Sequence, residues 1–167
     1  MTTKDDGQKK ELLQAKTIVF RLFKFRPRSE KEIIKRLKEK NIAPKVIEKT
    51  VEYFKTIGMI DDALFAKGWS RSRLNKPFGI QRICYELRQK GVDQDVIADA
   101  LDEVTQDYDE VETVVALAEK RLKKYSHLDK QKARQRLYGF LARRGFSSEA
   151  IYKACTGLRA THNERWT

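Results

Sequence analysis

One pattern, repeated three times along the 167-residue chain, constrains the fold more than any other feature of the sequence. It reads KEKNIAPKVI at residues 38–47, RQKGVDQDVI at 88–97 and ARRGFSSEAI at 142–151. Each copy places Asn or Gly, which tolerate the left-handed conformation that ends a helix, before an apolar residue and a residue suited to begin the next helix. The pattern therefore predicts three pairs of helices, each pair joined by the same tight turn.

Apolar residues recur at the helical period of 3.6 along almost the whole chain, as at Val46, Ile47, Val51 and Phe54. The predicted helices lie at residues 10–25, 30–40, 44–57, 62–75, 80–90, 94–104, 110–125, 129–144 and 148–158. We expect an all-α fold of three tandem three-helix, helix-turn-helix-like repeats that form an elongated, curved array. The expected divisions are a disordered segment at 1–9, repeats at 10–58, 59–106 and 107–158, and a polar tail at 159–167.

The sequence contains no recognisable arrangement of catalytic, cofactor-binding or metal-binding residues. His127 and His162 are isolated, and no HExxH, GxSxG, Walker A or GxGxxG spacing occurs. The adjacent carboxylates Asp61 and Asp62 lack nearby oxygen ligands for a metal, so we interpret them as N-capping residues of the following helix. We therefore predict a protein that is not an enzyme and needs no cofactor.

Cysteine usage and hydropathy predict a cytoplasmic protein. Cys84 and Cys155 are far apart, and each lies within an apolar helical pattern, so we interpret both as reduced core residues. The first ten residues are polar, and no apolar run approaches the ~20 residues that a transmembrane helix needs. No exposed heptad pattern is present, so we expect a monomer.

The positive charge of the chain is large and unevenly distributed. The net charge is +12 and the pI is about 9.7. Segments 8–40, 68–92 and 120–144 carry 12, 6 and 10 basic residues against 4, 1 and 1 acidic ones, whereas 93–119 carries ten acidic and no basic residues. Blocks of one sign that nearly match the predicted helices indicate charged faces of a folded surface, and the basic blocks favour a polyanionic partner.

The acidic block argues against simple operator recognition. A helix-turn-helix protein places its second helix in the major groove of DNA. In the second repeat that helix carries Asp95, Asp99, Asp102 and Glu103 and no basic residue, so phosphates would repel it. A DNA-binding protein of the helix-turn-helix type is therefore the alternative function, which explains the charge but not the acidic helix.

The segment GMIDDALFAKGWSRSRLNKPFGIQRICYELRQKGVDQDVIADAL, which starts at Gly58, resembles the RecX family. The resemblance is carried by Asp61, Asp62, Phe65, Ala66, Arg71, Arg73, Gly79, Ile83, Glu86, Leu87, Lys90, Gly91 and Val92. Upstream, Arg28, Ser29, Glu32 and Leu37 are similar to the opening repeat of the family. The similarity spans residues 15–157, and the third repeat is its loosest part.

The resemblance implies a regulator that binds filaments of the RecA recombinase on single-stranded DNA and inhibits strand exchange, ATP hydrolysis and co-protease activity. Such a protein modulates DNA repair and the SOS response, binds single- or double-stranded DNA weakly, and has no catalytic site. We expect contacts with RecA or DNA from Arg26, Arg28, Arg71, Arg73, Lys76, Arg82, Lys132, Arg134, Arg143 and Arg144. We expect structural roles for Asp61, Asp62, Phe65, Ala66, Gly79, Leu87 and Gly91. The acidic helix is expected to face a basic surface of RecA.

Overall fold

The computed structural model describes the backbone of residues 3–161 and the side chains of residues 6–156. Within that backbone all regular structure is helical, as the apolar spacing predicts. The described helices are α1 (Thr3–Phe23), α2 (Glu30–Glu39), α3 (Pro44–Thr56), α4 (Asp62–Leu74), α5 (Ile80–Gln89), α6 (Gln94–Val104), α7 (Glu110–Lys123), α8 (Lys130–Arg143) and α9 (Ser148–Thr161). Every helix after α1 begins within one residue of its predicted start, and capping residues or proline mark most of these positions, as at Ser29, Pro44 and Asp129.

The two ends of the described chain depart from the expected divisions. Helix α1 begins at Thr3, so the disorder expected for residues 1–9 is replaced by helix from that residue onward. This segment mixes the good helix formers Gln8 and Lys9 with weaker ones such as Gly7, so its helix depends on propagation from the part of α1 that packing nucleates farther along the chain. At the other end, α9 continues to Thr161, inside the expected polar tail. Residues 162–167, including His162, lie outside the described residues.

The three repeated turns close in the same way. Asn41, Gly91 and Gly145 adopt left-handed conformations with φ of 56°, 79° and 80°. The next amide donates to a carbonyl five residues back in each case, from Ile42 to Leu37, from Val92 to Leu87 and from Phe146 to Leu141, at 3.2, 3.2 and 3.4 Å. This Schellman arrangement satisfies carbonyls at the helix end and buries the apolar residue that follows. The prediction of a common turn is confirmed.

The helices that follow these turns begin in three different ways. Pro44 occupies the first turn of α3, where a missing amide hydrogen costs nothing. The Ser147 hydroxyl accepts a hydrogen bond from the amide of Ala150 at 3.1 Å and so caps α9. Asp93 accepts the first backbone hydrogen bond of α6, from the amide of Ile97 at 2.9 Å. All three residues therefore stand where the sequence places a helix start.

The chain forms two compact units that do not follow the three repeats. The first unit contains the described residues up to Gly68 together with Leu87–Ala100. The second contains Trp69–Glu86 together with the described residues from Leu101 onward. The second repeat is thus divided, because its repeated turn packs within the first unit, whereas the end of α4 and the start of α5 pack within the second.

Each unit has a hydrophobic core built from the predicted apolar faces. The core of the first unit includes Ala15, Val19, Ile33, Leu37, Ile47, Val51, Phe54 and Ile60. The core of the second includes Val114, Ala118, Leu137, Leu141, Phe146, Ala150, Ile151 and Ala154. Burial of one large apolar side chain contributes about 1.5–3 kcal/mol, so these faces supply most of the stability. Cys84 and Cys155 are only half-buried rather than members of the fully buried core.

None of the described helices combines the length and the apolar character needed to cross a bilayer.

Candidate interaction surface

The ten basic residues predicted to contact RecA or DNA fall into two groups. The first group, which we call the internal arginines, bonds or packs against neighbouring elements of the same unit. The internal arginines are Arg26, Arg28, Arg73, Arg82 and Arg144. The second group, which we call the exposed cations, projects from the surface. The exposed cations are Arg71, Lys76, Lys132, Arg134 and Arg143.

In the second unit, two internal arginines converge on Glu86. The Nε of Arg73 donates to one carboxylate oxygen of Glu86 at 2.6 Å, and the Nε of Arg82 donates to the other at 3.0 Å. The indole of Trp69 also donates to Glu86, at 3.0 Å. Burial by itself would raise the pKa of Glu86, but the hydrogen bonds from Arg82 and Arg73 lower it below its ordinary value. With 24% of its side chain exposed, Arg73 holds α4 against α5.

The same arginines surround an aromatic ring. The guanidinium carbons of Arg73, Arg82 and Arg144 lie 5.6, 4.6 and 5.0 Å from the centroid of the Phe78 ring. Guanidinium groups at such distances are attracted to the ring face. Burial, followed by repulsion from Arg121 and Arg82, lowers the pKa of Arg144. Three positive charges from separate segments of the sequence therefore lie around the ring of Phe78.

The turn of the third repeat docks on the start of α5. The amide of Gly79 donates to the carbonyl of Arg144 at 2.9 Å, and the amide of Gln81 donates to the carbonyl of Gly145 at 3.2 Å. In return, the guanidinium of Arg144 donates to the carbonyl of Pro77 at 2.9 Å. A Cβ atom on Gly79 would collide with the backbone of Gly145, so only glycine permits this approach.

The turn of the second repeat docks in a similar way, on the start of α2 in the preceding repeat. The hydroxyl of Ser29 donates to the carbonyl of Lys90 at 2.6 Å. The ammonium of Lys90 donates to Glu32 at 2.9 Å, and Arg26 binds both oxygens of Glu32 at 2.7 and 2.9 Å. Burial alone would raise the pKa of Glu32, but the bonds from Arg26 and Lys90 lower it to about 2. Each docked turn therefore joins one repeat to the preceding one.

Arg28 differs from the other internal arginines, which donate hydrogen bonds to neighbouring groups. Its Nε is buried and has no hydrogen-bond partner among the described residues. Burial, followed by repulsion from Arg26, lowers the pKa of Arg28, although a guanidinium keeps its proton at neutral pH. Arg28 therefore carries a partly desolvated charge beside the network of Glu32.

The exposed cations make few bonds within the protein. Arg71, whose side chain is 61% exposed, pairs with Glu103 at 3.2 Å, and Lys132 pairs with Asp129 at 3.2 Å. Exposed pairs of this kind contribute only about 0–1 kcal/mol, so both cations stay available to a partner. Arg134 forms no ion pair within the described part of the chain. The acidic residues Asp95, Asp99, Asp102 and Glu103 of α6 are also exposed.

Asp61 and Asp62 serve two different helices. The carboxylate of Asp61 accepts from the amide of Leu64 at 2.8 Å, which confirms the prediction that it caps α4. Asp62 departs from that prediction, because its carboxylate accepts from the amide of Glu30 at the start of α2, at 2.9 Å. Burial is the main reason that the pKa of Asp62 is raised. No cluster of three or more His, Cys, Asp or Glu suited to a metal occurs among the described residues.

The other motif residues lie inside the fold. Phe65, Ala66 and Leu87 are buried. A Cβ atom on Gly91 would collide with the side chain of Lys31, and its positive φ also favours glycine. Together with Gly79, these residues therefore pack in the interior or allow neighbouring groups to approach closely, and they do not form a surface open to a partner.

Sequence reasoning missed two exposed aromatic residues in the third repeat. Tyr138 on α8 and Tyr152 on α9 are 51% and 71% exposed. Each follows a buried residue, Leu137 and Ile151 respectively, and so falls outside the apolar stripe of its helix. An aromatic residue placed outside the apolar stripe of its helix is the sequence signal that indicates such exposure.

Three domain models of one family match the chain in order. The first, second and third three-helix domains of RecX match residues 15–54, 61–101 and 107–155. The chain belongs to the RecX family. RecX proteins are regulatory proteins and not enzymes. Each matched segment lies within one of the repeats expected from the sequence.

Two bacterial relatives are similar to this chain over most of their length. The regulatory protein RecX of Chlorobium phaeobacteroides (strain BS1) is 39% identical over 138 residues, which cover 80% of this chain and 86% of that protein. The regulatory protein RecX of Thermobifida fusca (strain YX) is 33% identical over 84% of this chain and 76% of its own length. The resemblance to RecX noted in the sequence is thereby confirmed.

Solved RecX structures have the same arrangement of helices. The crystal structure of RecX from Lactobacillus salivarius superposes with a TM-score of 0.78 over 90% of this chain and 98% of that one, at 24% identity. A crystal structure of regulatory protein RecX superposes with a TM-score of 0.74 over 88% of this chain and 74% of that one, at 26% identity. The all-α fold of three tandem three-helix domains is therefore confirmed.

Proposed function

We propose that this RecX protein is a negative regulator of the RecA recombinase. It binds RecA filaments on single-stranded DNA and inhibits strand exchange, ATP hydrolysis and co-protease activity, and so modulates DNA repair and the SOS response. It acts in the cytoplasm as a monomer, without a catalytic site or cofactor. The observation that carries the proposal is the match of all three RecX domains, in order, along one chain.

The exposed cations are the proposed contacts with the filament. A filament on DNA is a polyanion, and each cation that neutralises a phosphate releases condensed counterions. Five separated cations bind weakly one by one, but contacts held on one folded chain act together and raise the overall affinity. Arg71 and Lys76 carry the proposal best, because they lie in the last turn of α4 and just after it, in the repeat that contains most of the residues resembling the family.

The internal arginines have a different proposed role. Arg73, Arg82 and Arg144 direct their hydrogen bonds at Glu86 and at backbone carbonyls of the same unit. Replacing one of them would therefore remove a contact within the fold, whether or not it also removed a contact with a partner. We therefore assign them to holding the docked turns in place, so that the exposed cations are presented in a constant arrangement.

The acidic face of α6 is proposed to meet a basic surface of RecA. Its four carboxylates are exposed, and phosphates of DNA would repel them. Complementary charge across a protein interface sets the register of the partners and excludes wrong ones. The basic and acidic surfaces of this protein would then touch the DNA and the protein of the filament respectively.

The decisive experiment is the RecA ATPase on single-stranded DNA, measured with increasing amounts of this protein. The parent protein should inhibit the ATPase, and Arg71→Glu with Lys76→Glu should require at least about tenfold more protein for the same inhibition. Lys45→Glu with Lys49→Glu is the matched control, because it changes the net charge equally on α3. A parent protein that binds DNA but leaves the ATPase unchanged would contradict the proposal and favour the DNA-binding alternative.

Salt titration separates the two kinds of contact. Loss of phosphate contacts reduces the dependence of log K on log salt by about 0.7 for each contact with a single strand. Asp99→Lys with Asp102→Lys should weaken binding to filaments while leaving or improving the affinity for naked DNA. Equal inhibition by the parent and by both charge reversals would move the contact surface to other residues.

A further inference from the structure

A cleft of about 420 Å³ lies beside α8 in the second unit. Its helical residues fall outside the apolar stripe that contains Leu137 and Leu141. The volume of the cleft is within the range of about 300–1,000 Å³ that is typical of ligand sites in proteins. The residues that line the cleft are Tyr125, just after α7, and Gln135, Arg136, Gly139 and Arg143 of α8.

A glycine provides the space between two arginines of this cleft. Arg136, Gly139 and Arg143 are three and four positions apart, so they follow one another along one face of α8. Because Gly139 has no side chain, the guanidinium of Arg143 can lie over it, with Nη1 3.1 Å from the position that a Cβ would take. The guanidinium of Arg82 donates to the backbone carbonyl of Arg143 at 3.1 Å and so holds this end of the helix. The cleft is therefore flanked along the helix by two positive charges.

These two charges are not neutralised within the described part of the chain. The side chains of Arg136 and Arg143 form no ion pair or hydrogen bond with a described residue. No carboxylate lines the cleft among the described residues either. Two unpaired guanidinium groups beside one cavity attract a negatively charged ligand.

The hydrogen-bonding groups of the cleft are mainly donors. Arginine side chains donate only. The hydroxyl oxygen of Tyr125 accepts a hydrogen bond from Nε of Arg121 at 3.1 Å, so the hydroxyl hydrogen is available to a ligand. A matching ligand has a negative charge and several acceptor oxygens. A phosphate group has both, and guanidinium groups bind it through paired hydrogen bonds.

The surroundings of the cleft favour a chain of phosphates over a single anion. Segment 120–144, which contains nearly the whole lining, carries ten basic residues and one acidic residue. The exposed cations Lys132 and Arg134 lie on the same helix. Positive charge that continues beyond one phosphate site contributes to the binding of a polyanion, whereas a free phosphate ion would use only the site itself.

We propose that this cleft binds one phosphate of a nucleic-acid backbone, which Arg136 and Arg143 contact from the two ends of Gly139 while the hydroxyl of Tyr125 donates to it. Arg136 is not one of the ten basic residues that the sequence predicts to contact RecA or DNA. The inference rests on the proposed function and deepens it, because it names a place at which the protein meets the DNA of a filament rather than RecA. Binding to bare DNA tests it separately from any effect on RecA.

The test is fluorescence anisotropy with a labelled thymidine oligonucleotide and the full chain, at about 0.1 M salt, where charges more than ~10 Å apart are largely screened. Arg136→Gln with Arg143→Gln should weaken binding by about tenfold or more, the scale of a lost charge-assisted contact. The dependence of log K on log salt should fall by about 0.7, the value for one phosphate of a single strand.

A matched control removes the same charge elsewhere. Lys45→Gln with Lys49→Gln changes two exposed positions of α3 in the first unit and should weaken binding by less than about threefold, through the loss of screened attraction alone. Equal weakening by the two double variants would overturn the proposal, as would unchanged binding by the arginine variant.

Gly139→Leu separates a shaped cleft from general attraction by positive charge. The leucine fills the space between the arginines, leaves the net charge unchanged and favours helix more than glycine does. The three atoms nearest to a new Cβ all belong to the flexible guanidinium of Arg143, so the fold should be retained. Binding should weaken by about fivefold or more, because the two arginines can no longer contact one phosphate together.

Gly68→Leu is the matched control for this variant. Gly68 is an exposed glycine within α4, and a Cβ there meets nothing within 4 Å, so the variant should bind DNA like the parent. If Gly139→Leu also bound DNA like the parent, the cleft would not be a site, even if the arginine variant bound weakly.

Lipid headgroups are the other source of phosphate that the experiment distinguishes. Vesicles of phosphatidylglycerol present phosphates on a surface instead of along a chain. The parent should bind the oligonucleotide more tightly than these vesicles, and Gly139→Leu should leave any vesicle binding unchanged. Tighter binding to vesicles that is lost in Gly139→Leu would overturn the proposal and assign the cleft to a membrane surface.

The outcomes also separate this inference from the proposed function. If the arginine variant bound bare DNA normally but inhibited the RecA ATPase poorly, the arginines would contact protein and the inference would be wrong. If the parent did not inhibit RecA yet bound DNA through the cleft, the proposed function would fail and the inference would stand. A parent protein without measurable affinity for bare DNA would overturn the inference directly.

Discussion

The docking of the third-repeat turn on α5 makes a sharp prediction for Gly79→Ala. The new Cβ would collide with the backbone of Gly145, so the turn would have to move away. That movement would break two hydrogen bonds, from Gly79 to Arg144 and from Gln81 to Gly145. Two lost bonds cost about 2 kcal/mol, forced displacement of packed groups costs about 1–3 kcal/mol, and reduced entropy of the unfolded chain offsets about 0.5–1 kcal/mol. We expect a net loss of about 2–4 kcal/mol.

Gly68→Ala is the matched control. Gly68 lies exposed within α4, and a Cβ atom there meets nothing within 4 Å. Alanine should therefore stabilise the protein by about 0.5–1 kcal/mol, the ordinary preference of a helix interior for alanine over glycine. Urea unfolding followed by far-UV circular dichroism measures both effects, with Gly79→Ala shifting the midpoint down by on the order of 1–2 M. A midpoint for Gly79→Ala at or above that of the parent would refute the docking argument.

Four further expectations follow from the same contacts. The pKa of Glu32 is about 2, against an ordinary value of 4.5. Ionised Glu32 should therefore add on the order of 2 kcal/mol to the free energy of unfolding above pH 4.5, and this contribution should disappear as the pH falls toward 2. Urea midpoints of the parent and Glu32→Gln should therefore converge over that pH range; a constant difference would contradict the assignment. Arg73→Glu should lower the melting temperature by placing a second carboxylate beside Glu86, whereas Arg71→Glu should leave it nearly unchanged. Asp61→Ala should cost about 1 kcal/mol in urea unfolding through loss of the cap on α4, and a neutral result would exclude that role. Treatment of this protein with EDTA should leave its melting temperature unchanged and, once the EDTA has been removed, its inhibition of the RecA ATPase in magnesium buffer; a large loss of either would reveal a metal site.

Most of the fold could be predicted from local sequence signals. The positions of the helices depend on apolar periodicity and on residues such as Pro44 and Ser147, which act within a few positions of themselves. The repeated turn is equally local, because Asn41 and its counterparts supply a conformation that their immediate neighbours require. The start of α1 at Thr3 rather than at residue 10 is not predictable in the same way, because the first turns carry no apolar pattern and several weak helix formers.

The interaction surface was less predictable, because the function of a charged residue depends on what lies across from it. Arg71 and Arg73 are two positions apart and look equivalent in the sequence. The first is exposed, whereas the second is bonded to Glu86 and packed on Trp69. Residues two apart on a helix point to different sides, but only the neighbouring elements determine which side is enclosed.

The sequence by itself determined the repeats, the helices and the family, since helix caps, left-handed turns and apolar stripes act through neighbours along the chain. The tertiary structure alone decided how the repeats join and which cations are exposed. The partners of Gly79 and Arg144 lie more than 60 residues away, and only packing brings them into hydrogen-bond distance. The same long-range packing divides the second repeat between two compact units. Local patterns specify conformation, whereas desolvation and pairing of charge depend on contacts that form only when the chain has folded.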